Sequence, residues 1–68
     1  MKLRLVFARN LRQARIERDL TQEKLADLAG IDRTYVSALE RQLYSVSLDT
    51  IEKLADVLKV EPADLLRN

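Results

Sequence analysis

Between Arg33 and Arg41 the chain sets out small and hydrogen-bonding side chains at helical spacing. With Arg33 at zero and about 100° per residue, Ser37, Arg41, Thr34 and Ala38 fall at about 40°, 80°, 100° and 140°. These five share one arc, and none of them is acidic or a bulky apolar residue. An arginine fork can donate to guanine O6 and N7. The methyls of Thr34 and Ala38 can meet a thymine methyl, and the hydroxyls of Thr34 and Ser37 can hydrogen-bond to base edges. A cation in the first turn of a helix is unfavourable to the helix dipole, so Arg33 there points to an outside anion or base. Gln22 stands at the start of the preceding helix, a place that suits a phosphate. Tyr35 falls at about 200° on the same wheel. For it, packing on the neighbouring helix and contact with DNA both stay open.

The residue types exclude most other chemistry. The chain has no His and no Cys, which removes disulfides, thiolates, the usual structural zinc sites and imidazole acid–base catalysis. Its eleven carboxylates are spread along helix surfaces beside basic partners, and no nucleophile has a base at motif spacing. The expectation is a non-enzyme with no cofactor and no metal. The apolar cluster Leu5-Val6-Phe7-Ala8 lies between Arg4 and Arg9, too short for a signal peptide or a membrane span. A soluble, cytoplasmic protein is expected, without a membrane partner.

The elements that must hold the Arg33 arc are legible from periodicity. At 68 residues the chain is one domain, 1–68. Apolar residues make up 47% of it, yet only Phe7, Tyr35 and Tyr44 are aromatic, so the core is Leu, Ala, Val and Ile. One Gly and one Pro leave little for hairpins, and the composition favours an all-α fold. Leu3, Phe7, Leu11 and Ala14 predict a first helix over 2–18. Thr21 caps a second over 22–29, with Leu25, Leu28 and Ala29 inward and Gly30 ending it. Asp32 caps a third over 33–42, anchored by Val36 and Leu39. After a loop over 43–46, Ser47 caps a fourth helix with a stripe of Leu48, Ile51, Leu54, Ala55 and Leu58. Pro62 opens a short fifth helix. The string Glu-Lys-Leu-Ala-Asp occurs at 23–27 and again at 52–56, too short for a repeat architecture.

Residues 22–41 thus form two short helices around a tight turn, each special position having a steric reason. Ala26 is small enough for the second helix to cross close above it, Gly30 supplies positive φ, and Ile31 plugs the corner. The stretch Thr21-Gln22-Glu23-Lys24-Leu25-Ala26, then Gly30-Ile31, then Val36-Ser37-Ala38-Leu39-Glu40-Arg41, resembles the lambda-repressor and Cro-like (XRE-type) helix-turn-helix family. Leu48-Asp49-Thr50-Ile51-Glu52-Lys53-Leu54-Ala55 with Leu58 is similar to the family's fourth helix, so the resemblance covers about 4–66. Within the family, Asp32-Arg33-Thr34-Tyr35-Val36-Ser37 with Leu39-Glu40-Arg41 looks most like the controller proteins of restriction–modification systems. Those are short dimers that regulate their own gene and the endonuclease gene.

The resemblance implies a compact five-helix domain that regulates transcription by binding a (pseudo)palindromic operator in double-stranded DNA. It implies base reading by Arg33, Thr34, Ser37 and Ala38, with Tyr35 as a further candidate. Phosphate contacts would come from Gln22, Arg41, Gln42, Ser45 and Ser47. Arg15 and Glu40 match a family pair that forms a buried salt bridge. Two copies would join through the C-terminal helices, using part of Val57, Leu58, Val60, Ala63, Leu65 and Leu66, with recognition helices about 34 Å apart. RNA polymerase is a further candidate partner. One departure stands out: many members have Gly and Pro before the fourth helix, whereas this loop is Gln42-Leu43-Tyr44-Ser45-Val46-Ser47. Leu43 and Tyr44 there could tuck onto the core or enter a dimer contact.

Net charge is only +1, but it is unevenly spread. Residues 1–20 carry six basic side chains against Glu17 and Asp19, and the last third is acidic. One face therefore tolerates phosphate and another does not. The competing reading is a helical interaction module or antitoxin that kept the fold. Such a module would show exposed apolar residues around Arg33, and this arc has none.

Overall fold

In the computed structural model, which describes residues 2–68, three helices begin where a side-chain oxygen meets an orphan backbone N–H. Thr21 Oγ1 accepts from the Lys24 amide at 3.0 Å. Asp32 Oδ1 accepts from the Thr34 amide at 2.9 Å, and Ser47 Oγ from the Thr50 amide at 3.1 Å. The four helices are α1 (Leu3–Glu17), α2 (Gln22–Ala29), α3 (Arg33–Glu40) and α4 (Leu48–Leu58).

All four end in the same way. A residue with positive φ follows the helix: Asp19 (57°), Gly30 (70°), Gln42 (64°) and Lys59 (59°). The next residue is apolar, and its amide returns to a carbonyl five residues back. These pairs are Leu20 to Arg15, Ile31 to Ala26, Leu43 to Ala38 and Val60 to Ala55. This is the Schellman arrangement, which satisfies carbonyls that the helix leaves open. It also stops α3 at Glu40, two residues before the expected end, because Gln42 has already turned left-handed.

The short element after Pro62 is a 3₁₀ segment, Pro62–Leu66, so the α-helices number four and not five. Its length leaves no room for a second turn. Asn10 Nδ2 donates to the Leu65 carbonyl at 3.1 Å and to the Arg67 carbonyl at 2.7 Å, supplying from α1 the partners a longer helix would have found within itself.

Phe7, Leu11, Leu25, Val36, Leu39, Ile51, Leu54, Leu58 and Leu65 meet in one core, with Ala26 and Ala55 at the close approaches. Each large aliphatic side chain buried there stabilises the fold by about 1.5–3 kcal/mol. α1 packs against both α3 and the 3₁₀ segment, so its buried arc is wider than a single stripe and takes in Val6 and Ala8. Leu3 and Leu48, expected in core stripes, are exposed because each is the first residue of its helix, beyond the reach of the packed middle. Leu28 is exposed as well.

Candidate nucleic-acid interface

The outer side of α3 is held in place by an ion pair beneath it. Arg15 Nε and Nη2 donate to the two oxygens of Glu40 at 2.7 and 3.0 Å, and Arg15 Nη1 donates to the Leu20 carbonyl at 2.8 Å. The two side chains are only 13% and 4% exposed, so α1 is tied to the end of α3 through a largely desolvated, two-pronged contact. The hydrogen bonds of Glu40 push the Arg15 guanidinium above its ordinary pKa. Gln22 Nε2 donates to Glu40 Oε1 at 3.1 Å, which brings the start of α2 into the same network.

Above this base lie most of the residues singled out in the sequence. Arg33 and Thr34 are exposed and Ser37 is half-buried. Among the described residues, no ion pair or hydrogen bond holds the Arg33 guanidinium. Arg33 and Gln22 line one open hollow of about 350 Å³, together with Arg15, Thr21 and Glu23. Thr34 and Arg41 line another, of about 270 Å³, together with Tyr35. The helix thus presents two donors, Arg33 and Arg41, with a threonine and a serine between them.

Two expected contacts do not stand as drawn. Ala38 is 3% exposed and belongs to the packed side of α3. The turn at Gln42 folds the chain back beside it, the Leu43 amide returning to the Ala38 carbonyl at 2.9 Å. A helical wheel carries no information about the chain that packs beside it. The Ser47 hydroxyl accepts from the Thr50 amide and gives its proton to Thr50 Oγ1 at 2.9 Å, so it is a helix cap and not a free phosphate donor. Gln42 shares a hollow with Arg9, Arg12 and Glu40, on the α1 side and away from Thr34.

The remaining candidates are partly occupied. Tyr35 packs against the core, and its hydroxyl donates to the Ser45 carbonyl at 3.4 Å. Ser45 Oγ accepts from Arg4 at 2.8 Å and keeps its own proton. Arg18 Nε donates to the Leu58 carbonyl at 3.0 Å, a structural tie between α1 and α4. Sequence reasoning missed one contact outright: Thr34 Oγ1 donates to Asp32 Oδ1 at 2.7 Å. An aspartate cap followed two residues later by threonine carries a signal for it, since both groups bond local backbone and hydroxyl partners at turns. The two bonds from Thr34 hold the Asp32 carboxyl below the usual carboxylate pKa.

Residues 11–65 match the family model described as helix-turn-helix, which is most of the chain. The chain belongs to the helix-turn-helix family. It is 46% identical over 65 residues to the control protein C.BamHI of Bacillus amyloliquefaciens, covering 94% of this chain and 80% of that protein. The crystal structure of the restriction–modification controller protein C.AhdI from Aeromonas hydrophila superposes with a TM-score of 0.88 at 45% identity, covering 91% of this chain and 94% of that one. That of a hypothetical transcription factor from Neisseria superposes with a TM-score of 0.94 at 45% identity, covering 97% and 76%. The XRE-type assignment and the likeness to controller proteins drawn from the sequence both hold. Among the described residues, no helix is long and apolar enough to cross a membrane.

Proposed function

We propose that this helix-turn-helix protein is a transcriptional regulator that acts as a homodimer on a two-fold-symmetric operator, in the manner of a restriction–modification controller. Membership of the family makes it a DNA-binding transcription regulator by class, and not an enzyme by class. The observation that carries the operator reading is Arg33 at the tip of α3, unpaired among the described residues, on a helix braced by the buried Arg15–Glu40 pair.

In this reading residues 1–68 act as one DNA-binding domain in the cytoplasm, with 22–41 as the motif. Arg33 donates to a guanine, and Thr34 and Ser37 face the neighbouring base edges. Gln22, Arg41, Gln42 and Ser45 donate to phosphates and set register. Tyr35 supports the loop at Ser45. One copy carries a single α3, so reading two half-sites roughly 34 Å apart takes two copies.

The C-terminal apolar residues are largely used within one copy: Leu58 and Leu65 are buried, and Val57, Val60 and Leu66 pack on the core. The apolar surface left over lies beside them. Leu3, Tyr44, Leu48 and Leu66 edge a groove of about 260 Å³, and we place the two-fold contact there.

The experiment is selection of bound duplexes from a randomised pool, followed by titration of the enriched site. The wild type enriches one motif, and its affinity falls roughly a thousandfold between about 50 and 200 mM salt. Arg33→Ala binds that site at least about tenfold more weakly and loses preference at one base pair. Equal binding by Arg33→Ala and wild type would remove the mechanism.

A further inference from the structure

Thr34 has two faces it could turn to DNA, a hydroxyl and a methyl, and the structure decides between them. Its hydroxyl donates to Asp32 Oδ1 at 2.7 Å, and the same oxygen accepts from the Thr34 amide at 2.9 Å. An O–H···O⁻ bond to an ionised carboxylate is stronger than one between neutral groups, so a neutral base acceptor competes poorly for that proton. The Thr34 oxygen is thereby drawn back toward the residue before the helix. Thr34 is nevertheless exposed, on the arc it shares with Arg33.

We infer that Asp32 is a specificity-positioning residue: it sequesters the Thr34 hydroxyl so that Thr34 meets the operator through its methyl and selects thymine. The inference rests on the operator reading given above. It gives Asp32 a purpose beyond capping α3. A carboxylate at the DNA-facing tip of a helix repels phosphate, and a serine or asparagine would cap as well without that charge. The short charge-assisted bond to a neighbouring hydroxyl is what the aspartate adds. It also divides the work along α3. Arg33 offers donors only, and Thr34 offers a methyl with no available donor, so the two cannot exchange targets.

The test is the same duplex selection with four variants, each checked for folding by circular dichroism. Thr34→Val keeps a methyl on the β-branched carbon, and the amide that Asp32 caps remains. It is expected to enrich the wild-type thymine with its preference changed less than about twofold. Thr34→Ser keeps the hydroxyl and lacks the methyl, and its preference for thymine should fall about fourfold, the worth of one buried methyl. Asp32→Ser still caps the helix but is too short to hold the hydroxyl, and should lose preference at the same base pair by a similar factor. In the Thr34→Val background, Asp32→Ser should change nothing further there, because no hydroxyl is left to hold.

The inference is overturned if Thr34→Ser keeps the preference while Thr34→Val loses it. It is equally overturned if Asp32→Ser shifts that base pair as much with valine as with threonine. If the wild type enriches no motif at all, the operator reading falls and takes this inference with it. A motif that depends on Arg33 but is indifferent to every change at residues 32 and 34 sinks this inference alone.

Discussion

Asp19, Gln42 and Lys59 sit in the left-handed region, where a side chain costs about 1–2 kcal/mol relative to glycine. Only Gly30, of the four such positions, has the residue best suited to it. The cost is accepted because the next residue in each case returns its amide to the helix and is apolar. Replacing Gln42 by Gly should therefore stabilise the protein by about 0.5–1 kcal/mol, once the extra freedom of the unfolded chain is offset. Thermal melting would rise by roughly 4 °C. Gly30→Ala should move in the opposite direction by a similar amount. A Cβ at Gly30 meets nothing within 4 Å, so backbone strain alone would act. A fall in melting temperature for Gln42→Gly would mean that the Gln42 side chain contributes more than its backbone costs.

At the level of elements, α1, α2 and α3 are coupled through one carboxylate. Glu40 accepts from Arg15 twice and from Gln22 once, and it is nearly inaccessible to water. Removing it leaves a guanidinium buried without its partner, which costs about 3–5 kcal/mol. For a domain this small that is a large share of the total stability. Glu40→Ala should show this loss in urea unfolding. The double change Arg15→Met with Glu40→Leu should recover most of the stability, because an apolar pair of similar volume avoids the desolvation cost. It should not recover operator affinity, since Gln22 would lose the acceptor that orients it. Recovery of both would make the network purely structural.

On the scale of the whole molecule, the apolar surface has been sorted by packing. Residues of the C-terminal third close the single copy, and Leu48 is left 78% exposed with Leu3 and Tyr44 nearby. A lysine at position 48 should leave monomer stability within about 0.5 kcal/mol of wild type, as is usual for an exposed site. It should convert a dimer to a monomer in sedimentation velocity and weaken operator binding in parallel. A Leu48→Lys protein that still sediments as a dimer would move the contact elsewhere.

The starts of α2, α3 and α4, the core positions Leu25, Val36, Leu39, Leu54 and Leu58, and the Arg15–Glu40 pair were all legible in the sequence. Each depends on side-chain chemistry within one or two helical turns, or on a family motif quoted residue by residue. Other features were decided only by tertiary structure. Ala38 lies on the outer arc of an isolated helix, yet it is buried in the folded chain. Leu48 belongs to an apolar stripe by periodicity, yet it stands past the end of everything that could cover it. Local pattern sets which residues are able to face inward or bond outward. Which of them do so depends on where neighbouring elements end, and that is a property of the packed molecule.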